Sequence, residues 1–408
     1  MPHTGRRFSL GLPARGCHSN RMQALLAVNA GSSSLKYALF SLPDLARVRD
    51  GKIERIGQAG GPTDHAACVP HMLKAIGDAS LVAIGHRVVH GGERFTAPVR
   101  IDAGVLRALR AQTPLAPEHA PGEIALIEAF AAQRADVPQV ACFDTAFHAD
   151  LPREAALLPI ARRYFARGVR RYGFHGLSYQ YLVGELSRLE AAEREAGDAP
   201  ALPGSPRRVL LAHLGNGCSL AAVRDGRCID TTMGFTPAGG LVMGTRSGDL
   251  DPGLVAYLAR VDGVDAAGFD RLVNAESGLL GLSETSADVR DLLAREAQDE
   301  RAADALTVFC RQAIKHAAAM TAMLGGLDTL VFSGGIGEHA APIRARIAAG
   351  LAHLGVGLDP TRNAQHAPAI SADESRVVVR VIQTDEELQI ARESAALCNL
   401  SNVTGAAR

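Results

Sequence analysis

Two short units of the same design, about half a chain apart, limit what this sequence can build. In the first, the apolar run Leu25–Val28 enters a turn of small and hydroxyl residues, Asn29-Ala30-Gly31-Ser32-Ser33-Ser34, and leaves through Lys36 into a second apolar run ending at Leu42. In the second, Val209–His213 enters Leu214-Gly215-Asn216-Gly217-Cys218 and leaves as Ser219–Val223. Short apolar runs bounded by glycine and serine read as buried strands. Their recurrence predicts a duplicated domain, with chance likeness of two β-turns as the alternative. Little side-chain bulk separates the N–H groups of such turns from an anion, and Lys36 adds positive charge. Two such hairpins facing across a cleft would hold one polyphosphate from both sides. A serine-rich hairpin with a solvated lysine is the plainer alternative.

The rest of the chain alternates strand and helix patterns, which predicts an α/β fold. Further strands are expected at Leu81–Ile84, Pro138–Phe143, Thr329–Phe332 and Val377–Ile382. Helices are expected at Ala103–Ala111, Gly122–Arg134, Tyr179–Glu195, Ala302–Leu324, Ala341–Leu354 and Glu386–Leu397. A domain boundary is expected near Asp150, and a surface loop at Ala196–Arg208 from its proline and glycine. Residues 1–21 hold four arginines and no acid, and read as a disordered tail.

Lys+Arg and Asp+Glu balance at 43 each, and Trp is absent, so neither a basic surface nor a base-stacking platform for nucleic acid is indicated. Seven scattered cysteines without a C-x-x-C pair suit free thiols in a reducing cytoplasm. No apolar run is long enough to predict a membrane span.

Several segments share a strand end, a glycine and a charged residue. Gly85-His86-Arg87-Val88-Val89-His90-Gly91-Gly92 carries an arginine suited to carboxylate or phosphate, or to a structural role. Asp144, after Phe143, reads as a site residue at a strand terminus or as a helix cap. His175 lies in Gly173-Phe174-His175-Gly176; protonated, it would stabilise negative charge, and a structural histidine is the alternative. The loop Met243–Gly253 carries Arg246, a candidate for a transferring phosphoryl group. Ser333-Gly334-Gly335-Ile336-Gly337-Glu338-His339 reads as a glycine turn leading to a helix near Ala341, aimed at a ligand. Neither G-x-G-x-x-G nor a Walker A motif is present.

Taken jointly, the segments NAGSSSLKY, GHRVVHGG, FDTAFH, RRYGFHG, HLGNG, MGFTP, MGTRSGDLDPG, SADVRDL, GGIGEH and TDEEL run in order from about Ala24 to Cys398. In this the chain resembles the acetokinase family of the sugar kinase/Hsp70/actin superfamily. The resemblance implies two duplicated RNase H-like domains around a central cleft. Residues 22–150 with the C-terminal helix 386–400 would form one, and 151–385 the other. It implies phosphoryl transfer between ATP and acetate, giving ADP and acetyl phosphate, in a homodimer. Asn29 and Glu386 correspond to positions associated with Mg²⁺ (or Mn²⁺). Ser32, Ser34 and Lys36 match the first phosphate hairpin, and His213, Leu214, Gly215, Asn216 and Gly217 the second. Arg87 matches the acetate-gripping arginine, Asp144 the essential acid, and His175 with Arg246 the pair stabilising the transition state. Val89, Leu115, Phe174 and Pro237 match the acyl pocket. Asp288, Val289 and Arg290, with Gly335, Ile336, Gly337, Glu338 and His339, match the adenosine side. Val89 favours acetate over propionate; a propionate or other short-chain kinase, or a non-catalytic nucleotide switch, are the alternatives. Leu177 and Tyr179 stand where the family commonly has threonine and histidine. Cys218, Gly239, Ala120 and His339 are further departures.

Overall fold

β1 (Gln23–Ala30) is apolar on both faces of its pleat, and the architecture follows from covering both. Ala24, Leu26 and Val28 pack with Met72 and Ile76 of helix Cys68–Ile76 and with Phe130 of helix Ala120–Gln133. Leu25 and Ala27 face the other way, against Ile390, Ala391 and Ala395 of helix Glu386–Leu397. A computed structural model describes residues 22–196 and 207–400; the expected tail 1–21 and most of the expected loop 196–208 lie outside them.

β1 belongs to a sheet with β2 (Leu35–Ser41), β3 (Arg47–Ile53), β4 (Ser80–Val88), β5 (Val99–Arg100) and β6 (Gln139–Phe143), in the order β3-β2-β1-β4-β6-β5. β1 runs antiparallel to β2 and parallel to β4, and β4 parallel to β6. The second sheet holds β7 (Arg208–Leu214), β8 (Cys218–Arg224), β9 (Arg227–Thr231), β10 (Thr329–Ser333) and β11 (Val378–Val381), in the order β11-β10-β7-β8-β9. β7 runs antiparallel to β8 and parallel to β10, and β10 parallel to β11. Apart from β5, the two sheets have the same strand order and directions, so the recurrence in the sequence is a duplication in space.

β7 repeats the two-sided burial of β1. Val209 and Leu211 pack with Leu182 and Leu186 of helix Gly176–Ala196, while Leu210 and Ala212 pack with Phe309 and Ala313 of helix Glu300–Leu324. Helix Gly176–Ala196 also joins the sheets, because Leu177 near its start packs in the cluster of Leu25 and Ala27. The side chain of Asp385 accepts from the Leu388 N–H at 2.9 Å and starts helix Glu386–Leu397, so the first turn of that helix carries Glu386 and Glu387.

The structure differs from expectation around β10 and beyond it, among other places. The helix expected over Ala341–Leu354 ends at Gly350, and a 3₁₀ turn covers Ala352–Leu354. The glycine turn does not lead straight to Ala341; a short helix, Gly334–His339, begins at the end of β10. Gly334 permits this with φ of 76°, where a Cβ would meet the Leu214 carbonyl oxygen at 2.7 Å. Among the described residues, no helix is long and apolar enough to cross a membrane.

Candidate active site

The ends of β1, β4 and β6 lie at one edge of the first sheet, and the β7–β8 turn and the end of β10 at the matching edge of the second. Between them is a cavity of about 490 Å³. Its lining includes Asn29, Gly31, Ser34, Lys36 and Arg87 from the first sheet side, and His213, Gly215, Asn216, Gly334, Gly335, Glu338 and His339 from the second. His175, Gln383, Thr384, Glu386 and Glu387 complete it. The two glycine turns thus open on the same space.

Arg87 is fixed before any ligand arrives. Its Nε and Nη2 donate to Asp144 Oδ2 at 2.9 and 2.6 Å, and its Nη1 donates to the Ala30 carbonyl at 2.8 Å. Three of five guanidinium N–H groups are used, which leaves two to offer. Burial pushes the Asp144 carboxyl above its usual range, against the pull of Arg87. Among the described residues, Asp144 Oδ1 is buried without a hydrogen-bond partner. The alternative of a helix cap fails here, since Asp144 is committed to Arg87.

His175 adopts a left-handed backbone, φ 59°, just before helix Gly176–Ala196. Its Nδ1 lies 2.9 Å from Ser219 Oγ, and its ring stacks on His213 at 4.2 Å. Burial, with the positive charges of Arg87 and Arg246 and the neighbouring His213, holds its pKa well below the ordinary value. That direction favours the neutral ring over the protonated form that would stabilise negative charge. His213 is likewise pushed down to about 4 by burial, and its Nδ1 lies 2.8 Å from Ser178 Oγ, which meets Thr384 Oγ1 at 2.8 Å.

Arg246 approaches from the loop beyond β9. A Cβ on Gly217 would stand 3.3 Å from His175 Nε2 and 3.5 Å from Arg246 Nη1, so the bare turn lets both groups come close. Arg246 Nη1 donates to the Pro237 carbonyl at 3.4 Å. Val89 and Phe174 are buried in one cluster with Ala116, Tyr172 and Met233, with Phe235 against them. Leu115, in the 3₁₀ turn Thr113–Leu115, and Pro237 are half-buried, and neither belongs to that cluster.

Some expected nucleotide residues play other parts. Glu338 lines the cavity, yet its Oε1 accepts from the Gly334 N–H at 2.8 Å and the Thr384 N–H at 3.2 Å, which holds the glycine turn. Leu214 and Gly337 are buried, Ile336 packs against the core, and Ser32 is exposed; none lines the cavity. Asp288 caps helix Val289–Arg295 and pairs with the exposed Arg290 at 2.5 Å, while Val289 is core, so the structure does not bring these three to the cavity.

Asn29 Nδ2 donates to Glu386 Oε2 at 2.8 Å and to Glu387 Oε1 at 2.9 Å. Burial, and then repulsion from Glu386, raise the pKa of Glu387. Among the described residues, no cluster of three or more His, Cys, Asp or Glu could hold a metal by itself. Glu386 and Glu387 are two adjacent carboxylates, hard oxygen donors. They fit a Mg²⁺ that keeps waters and takes further ligands from phosphates.

Sequence reasoning passed over several groups here. His119 is pushed down to about 3 by burial, with Arg87 and Arg246 adding to it. Glu123 is buried, and its Oε1 accepts from the Val89 N–H at 3.1 Å. His65 Nε2 lies 2.8 Å from the Gly31 carbonyl oxygen. None stands at a strand end beside glycine, so that pattern could not find them. Thr384 and Glu387 lay within the TDEEL segment, whose adjacent acids were the available signal.

The acetokinase family model matches residues 24–392. An acetate kinase of Rhizobium meliloti is 43% identical over 406 residues, covering 93% of this chain and all of that protein. One of Streptomyces avermitilis is 40% identical, covering 91% and 97%. Among solved structures, the Porphyromonas gingivalis acetate kinase is similar with a TM-score of 0.80 at 33% identity, covering 92% of this chain and 99% of that one. A propionate kinase from Francisella tularensis has a TM-score of 0.82 at 36% identity, covering 92% and 100%.

Proposed function

This chain belongs to the acetokinase family, and we propose that it moves the γ-phosphoryl group of ATP reversibly onto acetate, giving acetyl phosphate and ADP by direct in-line transfer. The observation that carries this reading is that His175, which lines the cavity together with a pre-oriented Arg87, comes close to Gly217, with Arg246 Nη1 against the same glycine.

Phosphoryl transfer needs alignment and charge neutralisation more than acid–base chemistry. Acetate is already ionised at neutral pH, so no base is needed to make the nucleophile. The obstacle is repulsion between carboxylate and γ-phosphate. The two free N–H groups of Arg87 would take the carboxylate, while Val89 and Phe174 enclose the methyl group. Arg246 and a neutral His175 N–H would face the transferring group. Ser34, Lys36 and the turns at Gly215 and Gly335 would hold the remaining phosphates. Asp144 has one oxygen engaged by Arg87, which supports an orienting role rather than an obligatory base. Asn29 and Glu386, with Glu387 beside them, would hold Mg²⁺, which when bound screens the nucleotide phosphate oxygens.

We assign the homodimer expected for the family to helix Gly253–Val261, which buries no residue and exposes Val255, Tyr257 and Val261 next to Leu250. A cytoplasmic setting fits the free cysteines.

The test is ATP-dependent acetyl hydroxamate formation with acetate, propionate and butyrate side by side. Acetate should give the highest kcat/KM, with propionate a poorer substrate, since one methylene is worth about 1–3 kcal/mol. Propionate winning would make this a propionate kinase, the reading favoured by the Francisella structure alone. ATP turnover without any acyl phosphate would leave a nucleotide switch.

A further inference from the structure

We propose that Tyr179 and Ser219 act as a positioning pair that holds His175 as the neutral tautomer with its proton on Nε2, the nitrogen beside Gly217 and Arg246. The inference deepens the reading of the cleft as a phosphoryl-transfer site and rests on it for its kinetic part.

The three residues form a closed ring of contacts. Tyr179 lies one turn into helix Gly176–Ala196, and its N–H donates to the His175 carbonyl at 3.0 Å. Its hydroxyl reaches across to β8, where it meets Ser219 Oγ at 2.5 Å. Ser219 Oγ in turn lies 2.9 Å from His175 Nδ1. Tyr179 and Ser219 are both fully buried, so no water can substitute for a missing bond.

Counting hydrogens fixes the direction of the chain. The phenol has one hydrogen to donate, and among the described residues Ser219 Oγ is its hydrogen-bond partner. A buried O–H left without an acceptor carries an uncompensated desolvation cost, so Tyr179 donates to Ser219. Ser219 also has one hydrogen, and His175 Nδ1 is its other partner. The serine therefore donates to Nδ1, which must be bare. A neutral imidazole carries its single proton on the remaining nitrogen, so Nε2 is the donor. The opposite order would strand the phenol hydrogen in the core.

The consequence is chemical. Nε2 sits where a bare Gly217 allows it to approach the cleft, next to Arg246 Nη1. An Nε2–H there offers a hydrogen bond to a phosphoryl oxygen, while the other tautomer would present a lone pair to an anion. The left-handed backbone of His175 would be held by the same ring of bonds.

The experiment is long-range ¹H–¹⁵N NMR of ¹⁵N-histidine-labelled protein, with the His175 signals assigned by their loss in His175→Asn. The expected wild-type result is a bare Nδ1 and a protonated Nε2; a proton on Nδ1 overturns the proposal, and this readout needs neither a variant nor activity. In Tyr179→Phe and Ser219→Ala the histidine signals should shift toward a mixture of tautomers. In the acetyl hydroxamate assay kcat should fall by roughly 10- to 100-fold, the scale on which outer partners of a functional histidine act, with KM for ATP and acetate within about twofold of wild type. A variant with wild-type kcat and signals, or one that loses kcat with the tautomer unchanged, also overturns it. If wild-type enzyme makes no acetyl phosphate, the functional reading fails while the tautomer measurement still decides this one.

Discussion

Arg87 and Arg246 are both half-buried arginines, but they are held differently. Arg87 is pinned by Asp144 and Ala30, whereas among the described residues Arg246 has only long contacts, from Nη1 to the Pro237 carbonyl at 3.4 Å and to Met243 Sδ at 3.9 Å. Burial lowers its pKa, with Arg87 adding repulsion and Glu118 opposing it. A cation held this loosely is ready for an incoming anion. Arg246→Ala should reduce kcat by ~10³ or more, the scale of arginines that stabilise a transferring phosphoryl group, and steady-state kinetics checks it. Glu123 offers a test by pH. Burial raises its pKa from the ordinary 4.5 to about 7, against the opposing pull of Arg87 and the Val89 N–H. The folded state thus binds this proton more tightly than the unfolded chain. Its contribution to stability is complete below about pH 4.5 and is lost as pH rises through about 7. That loss is at most about 3 kcal/mol. Glu123→Gln keeps an acceptor for Val89, so it should raise Tm at pH 8 and change it little at pH 5; thermal melts at both values check this. The glycine-flanked Arg87 and His175 were legible in the sequence because glycine marks close approach. The charge state of His175 was not, because it depends on burial and on neighbours from distant segments.

At the scale of elements, the two hairpin turns were legible, since strand, glycine turn and strand are local in sequence. The turns face one cavity because both sheets repeat one strand order, as the recurrence predicted. The short helix after β10 was not legible: Gly334–His339 depends on a close approach to Leu214 from another strand and on Glu338 folding back to Gly334 and Thr384. β3 and the helices Gly253–Val261 and Ala266–Ala275 were also missed, since β3 is largely exposed and the helices bury no residue. The β7–β8 turn supplies a direct prediction. Gly217→Ala places a methyl group 3.3 Å from His175 Nε2, which must give by a few tenths of an ångström, and in ordinary contact with Arg246 Nη1 at 3.5 Å. The fold should survive, with Tm near wild type, while kcat falls by at least about tenfold. An unchanged kcat would remove this turn from the reaction.

For the molecule as a whole, two sheets of one design meet through helix Gly176–Ala196, which packs Leu177 on one side and Leu182 on the other. Such an arrangement suits a cleft that closes on its ligands. The exposed apolar residues of helix Gly253–Val261 give a prediction about assembly: Val255→Asp with Tyr257→Asp should convert a dimer to monomers in sedimentation velocity, with the fold retained by circular dichroism. A double variant that stays dimeric would move the interface elsewhere. In the proposed reaction two anions would be screened by groups from both sheets, and a crystal structure with ADP, acetate and a planar mimic of the transferring phosphoryl group examines that arrangement itself. Arg87, Arg246 and His175 Nε2 should all lie within hydrogen-bond distance of the mimic or the acetate. A mimic bound between the nucleotide and acetate with both guanidinium groups out of reach would contradict it.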